Sequence, residues 1–137
     1  MIASGFDVSL LVLRLVVASI FVAQGWVKVL RPANAPHGRN ALAQLIAYGG
    51  LPWPSALARA VGVSELVAGS LMGIGLLVRL VAIPLVGILV VAIARFKWRA
   101  GFIGGWDWPL AVLGSVVALL ISGGGRYGAD GLLGWTL

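Results

Sequence analysis

Residues 8–30 form a nearly continuous apolar run, broken only by Ser9, Arg14, Ser19, Gln24 and Lys28. A helix of this length, rising ~1.5 Å per residue, crosses a hydrocarbon core of ~30 Å. Lipid offers the backbone no hydrogen bonds, so a run this long is predicted to pair its own amides as a helix. Comparable runs follow at residues 56–77, 80–96 and 108–122. The sequence as a whole is 61% hydrophobic and 10% charged, with a mean hydropathy of +1.06. A soluble domain, about half apolar and a quarter charged, could not hide so much apolar surface. The predicted fold is therefore an all-α, integral membrane bundle of four transmembrane helices, with residues 1–137 forming a single domain.

The boundaries follow from local chemistry. The first run lacks a basic leader and a small-residue cleavage site, so it is expected to be retained rather than removed. Arg31-Pro32 and the stretch to Asn40 break it, and Asn40 is expected to cap a short helix over residues 40–48. That helix is too short to span and is assigned to the interface. Trp53 sits between Pro52 and Pro54, and Ser55 is the expected cap of the second span. Pro84 falls in the first turns of the third span, where a missing N–H costs least. The fourth run is short for a crossing, and the glycine-rich tail beyond it ends in a small amphipathic piece placed at the headgroups.

Ten Lys and Arg against four acids give a formal charge of +6. The basic residues flank apolar runs, which points to topology signals and anionic lipid rather than nucleic acid. Loops one and three hold Arg31, Arg39, Arg95, Lys97 and Arg99, whereas Arg79 and Arg126 lie on the side of the termini. Both loops are accordingly expected in the cytoplasm and both termini outside, in the inner cell membrane.

Several chemistries are excluded. Without cysteine there is no disulfide, thiolate nucleophile or iron–sulfur ligand set. His37 is the single histidine and lies in a loop, while Met72 lies near the opposite face, which rules out bis-histidine or His/Met haem ligation within one chain. Gly123 to Gly125 and Gly128 lack the lysine of a P-loop, and no metal-ligand spacing or nucleophile triad is present.

Charge inside a bilayer costs at least ~2.5–3.5 kcal/mol and is a functional hypothesis by default. On the first helix, Gln24 and Lys28 lie about 80° and 40° from Arg14, so the three share a face that is expected to point inward. On the second, Gly62, Glu65, Gly69 and Gly73 fall within about 80° of one another, a small-residue stripe around one carboxylate. Counting from the cytoplasmic ends, Glu65 lies ~14 Å deep, Gln24 ~9 Å, Lys28 ~3 Å and Arg14 ~24 Å. The predicted polar cluster is thus Arg14, Gln24 and Glu65, with an Arg14–Glu65 bridge and Lys28 at its mouth. A purely structural ion pair competes with a ligand site, and Lys28 alone could be a snorkelling helix-end lysine. Among secondary candidates, Asp107 caps the fourth helix or pairs with Lys28 or Arg31. Asp130 is a surface pair or turn residue near Arg79 and Arg126, and Arg79 marks the far membrane face. No metal site is expected.

The order of these residues resembles the DoxX family of membrane proteins. The likeness begins with Arg14, a polar residue ten positions on followed by Gly25, and Lys28. Gly50-Leu51-Pro52 and Pro54 continue it, then Glu65 with Gly69, Gly75 and Arg79. Pro109-Leu110, the glycines at 123–125 and Asp130 complete it across nearly the whole chain. One departure is Gln24, where the family often has a titratable histidine; Gln cannot carry a proton-transfer role. The resemblance implies a four-helix subunit of a quinol-oxidase-like or thiosulfate:quinone oxidoreductase, or of a membrane oxidoreductase complex. It therefore implies an accessory or membrane-anchor role beside a protein partner, with no intrinsic cofactor and quinone as ligand, and it does not fix whether the chain itself is catalytic. A small-molecule or lipid-binding protein or transporter, and a structural partner subunit, are the alternatives, and a homo-oligomer is compatible with each.

Overall fold

The computed structural model describes residues 4–134 and is helical throughout, with no strand among them. Trp135 to Leu137, the end of the expected amphipathic tail, lie outside the described residues. In chain order the helices are α1 (Gly5–Val29), α2 (Arg39–Tyr48), α3 (Pro54–Ile74), α4 (Val78–Val91), α5 (Asp107–Ser122) and α6 (Ala129–Leu133). Four segments are long and apolar enough to cross a membrane, beginning at Gly5, Pro54, Val78 and Phe102. With four crossings, the α1–α3 and α4–α5 connections share one end of the bundle, termed the loop end. The α3–α4 turn and both termini share the other, the terminal end.

Helix starts depart from expectation for identifiable reasons. α1 begins at Gly5 rather than Val8 because Ser4 accepts the Asp7 N–H at 3.2 Å while its hydroxyl donates to the Asp7 carboxylate at 2.8 Å. This Ser-x-x-Asp arrangement resembles a capping box. α3 begins at Pro54, and Ser55 does not cap it; Pro fits the first helical position because its φ is preset and no amide is lost there. α2 likewise starts at Arg39 with Gly38 as its cap residue, so Asn40 lies inside the helix. Pro84 is interior to α4, not in its first turn.

α4 continues through a wide turn at Ala92–Lys97 and a tight one at Trp98–Ala100, giving a span of Val78–Ala100. The following Phe102–Trp106 segment is irregular, with Ile103 extended and Gly104 at φ 76°. α5 itself has 16 residues, or ~24 Å.

α1 packs chiefly on α3, α4 on α5, and α3 joins the two pairs through its contact with α4. α2 rests on α3. The core contains Leu10, Val17, Phe21, Met72, Leu85 and Val116, while Val12, Leu15, Val67, Ile83 and Ile121 face outward where lipid would be. Lipid is as apolar as this core, so close van der Waals packing must favour association. The glycines of α3 supply it. Gly62 lies against Lys28 and Val29, Gly69 against Phe21 and Val22, and Gly73 against Ala18. A Cβ on Gly25 would stand 2.5 Å from the Leu66 amide nitrogen, so only a residue without a side chain lets the two backbones meet there.

Candidate functional site

The antiparallel α1–α3 contact carries Lys28 to Glu65. Their Nζ···Oε2 distance is 2.5 Å, and both side chains are buried. The helices can approach this closely because Gly62 places no side chain against the Lys28 Cβ. Lys28 is thus neither a snorkelling lysine nor a residue at the mouth of another pair: it is the ion-pair partner of Glu65. Its Nζ also reaches the Gln24 Oε1 at 3.5 Å, as expected for side chains four residues apart on one helix.

Gln24 itself is exposed rather than turned inward. A position about 80° around the helix from Arg14 falls at the rim of the buried face, not at its centre. Its amide nitrogen has no partner among the described residues, although it lies ~9 Å along α1 from the helix end. The loop end therefore holds a compensated charge pair with an uncommitted hydrogen-bond donor at its lipid-facing edge.

Arg14 does not bridge to Glu65. It lies at the terminal end, 2% exposed, where Nη1 donates to the Gly124 carbonyl at 2.6 Å and Nη2 to the Tyr127 carbonyl at 3.3 Å. Its Nε is buried without a partner. Space for the guanidinium comes from glycines: a Cβ on Gly128 would stand 3.0 Å from Nη1, and one on Gly75 3.0 Å from Cζ. Asp130 attracts Arg14 through space without a direct ion pair.

Asp130 is likewise not a surface residue. It is 4% exposed, and its two oxygens accept the N–H groups of Leu77 at 2.7 Å and Val78 at 3.0 Å. It thereby caps α4 from a helix more than fifty residues away, while its own amide donates to the Gly75 carbonyl at 2.9 Å. Leu77 has φ 54°, a conformation costly for a leucine, which makes an external acceptor valuable at this turn.

Asp107 accepts from Trp108 at 2.8 Å and Gly104 at 3.1 Å at the start of α5, and it pairs with neither Lys28 nor Arg31. Arg79 is exposed and lies over Gly123.

Two residues escaped the sequence reading. Asp7 accepts the hydroxyl of Ser4, the cap of α1, and also the Arg126 N–H at 3.2 Å; the Ser4-x-x-Asp7 spacing was the available signal. Arg59, exposed in the early turns of α3, adds another cation toward the loop end. Of the four carboxylates, Asp107 and Asp130 accept backbone amides at helix N-termini, where negative charge is favoured, while Asp7, in the first turn of α1, accepts the Ser4 hydroxyl and the Arg126 N–H. Glu65 instead meets a side-chain cation. Among the described residues no group of three His, Cys, Asp or Glu is placed to hold a metal.

Comparison with known proteins agrees with this architecture. Residues 9–98 match the model of the family described as DoxX. The chain is also similar to the uncharacterized membrane protein Rv3486 of Mycobacterium tuberculosis, with 33% identity over 135 residues, 89% of this chain and 79% of the relative. No solved structure matches.

Proposed function

The chain belongs to the DoxX family of membrane proteins, and from that premise we propose that it is an accessory or membrane-anchor subunit of a membrane oxidoreductase. Its contribution is one wall of a quinone site formed by Gln24, Lys28 and Glu65. The observation that carries this reading is the exposed Gln24 amide, unpartnered beside a buried ion pair on a surface otherwise fit for lipid. A polar group facing hydrocarbon without a hydrogen bond is costly, so an acceptor from outside the chain is favoured there.

A quinone carbonyl is an acceptor of that kind, and its isoprenoid tail can stay in the bilayer. A bound quinone supplies the electron chemistry. The chain's own residues do the holding: Gln24 donates a hydrogen bond, and Glu65 pairs with the buried Lys28 behind it. Arg14, at the other end of the bundle and engaged with backbone carbonyls, has no part in this site. The basic residues of the loop end, read by the positive-inside rule, favour a cytoplasmic loop end with the termini outside, in the inner cell membrane. A reporter active only in the cytoplasm should stay silent when fused after Leu137.

Purification from the native membrane in mild detergent tests the proposal. A redox protein and a quinone, identified by mass spectrometry, are expected to accompany the chain, and Gln24→Ala should reduce the retained quinone. Recovery of the chain alone, without quinone, overturns the reading.

A second reading rests on Gly62, which packs directly on the Lys28 Cβ. The ion pair then only specifies how α1 meets α3. Replacing both charges, as in Lys28→Met with Glu65→Leu, separates the two: unchanged quinone-linked activity supports the structural role.

A further inference from the structure

The α4–α5 connection carries charge that has no counter-charge paired with it among the described residues. Arg95, Lys97 and Arg99 fall within five residues, and none has a hydrogen bond or ion pair among the described residues. Arg95 and Arg99 are exposed and Lys97 is half-buried. The one carboxylate in this part of the chain, Asp107, has its oxygens on the amides of Gly104 and Trp108.

Aromatic rings are interleaved with these cations. Trp98 stacks on Trp106 with centroids 5.3 Å apart, and Phe102 meets the Trp106 ring edge-on at 4.6 Å. Trp98 and Phe102 are largely exposed, and Ile103 at the tip is 90% exposed. The irregular backbone makes this presentation possible, because Gly101 and Gly104 at positive φ turn the chain back between the two helices.

We propose that this connection is a specific binding surface for an anionic phospholipid. The headgroup phosphate is held by Arg95 and Arg99, four residues apart and so on one side of the helical turns, with Lys97 adding to the local positive charge, and the upper acyl chains lie against Phe102 and Ile103. Charge complementarity selects the occupant: three unpaired cations at the mouth of two apolar spans match a phosphate that carries its own acyl chains. An acidic soluble protein would match the cations but leave Phe102 and Ile103 without apolar cover. The inference stands independently of the quinone reading, which rests on α1 and α3.

The test uses the full chain in nanodiscs of equal parts phosphatidylglycerol and phosphatidylcholine, with the lipids retained on gentle release counted by native mass spectrometry. Each basic residue near an anionic surface contributes about a five-fold preference, so retained phosphatidylglycerol should exceed phosphatidylcholine by about tenfold or more. The combined variant Arg95→Gln, Lys97→Gln, Arg99→Gln should abolish that excess, while Arg31→Gln with Arg39→Gln should preserve it. Equal retention of the two lipids by the unaltered chain overturns the proposal without any variant. So does an equal loss of preference in both sets of variants, because the site would then not belong to this connection.

Discussion

The two ends of the bundle bury charge in opposite ways. At the terminal end, charged side chains serve backbone. Arg14 donates to the carbonyls of Gly124 and Tyr127, Asp130 caps the start of α4, and Asp7 accepts from Arg126. At the loop end, Lys28 and Glu65 serve each other, and Gln24 is left half-committed beside them. The first arrangement ties together segments distant in sequence and leaves little for a ligand to engage. The second is self-compensating, and its polar edge is open to lipid. A charge that holds backbone is read as architecture, and one held by another side chain at an open rim is the better candidate for function.

The comparison can be broken most severely at Asp130. Asp130→Ala removes both acceptors of the α4 cap, charge-assisted bonds worth about 1.5–3 kcal/mol each, and deprives Arg14 of compensating charge. Thermal unfolding in detergent should show the largest loss of the set; a change under about 1 kcal/mol would refute the architectural reading.

Lys28→Met comes next, because it strands a buried carboxylate at a cost of about 3–5 kcal/mol. Adding Glu65→Leu should recover most of that loss, a coupling that a double-mutant cycle measures directly. Purely additive losses would mean that the two charges are independent.

Gly25→Ala probes the contact on which the loop-end pair depends. Its methyl would collide with the Leu66 amide nitrogen and the Gly62 carbonyl, and overpacking of this kind costs about 1–3 kcal/mol. The smallest effect belongs to Gln24→Ala, expected within about 0.5 kcal/mol as for other exposed positions. Quinone retention should nevertheless fall. A Gln24 variant that loses stability but not quinone would invert the assignment of the two ends.

Much of the fold was legible because hydropathy is a local property: four long apolar runs require four spans whatever their neighbours do. The glycine stripe on α3 was visible for the same reason, since helical periodicity alone puts Gly62, Glu65, Gly69 and Gly73 on one face. The site was legible only in part. Lys28 and Glu65 stood out as charges within spans, but their pairing did not, because depth counted along separate helices cannot fix the offset between them. Gln24 was placed inward by angle alone, yet whether a rim position is covered depends on the width of the neighbouring helix. Asp130 was obscure for another reason: a short helix after a glycine-rich stretch gives no sign of which distant amides it will reach.

The sequence by itself determined that the chain lies in a membrane, that its helices meet through glycine, and which charged groups must be accommodated inside. Only the tertiary structure decided how those groups are partnered, with Lys28 on Glu65 and Arg14 on the carbonyls of a folded-back C-terminal segment. The reason is physical. Burial of a charge is dictated residue by residue, whereas its neutralisation depends on ångström-scale distances between segments, which close packing sets.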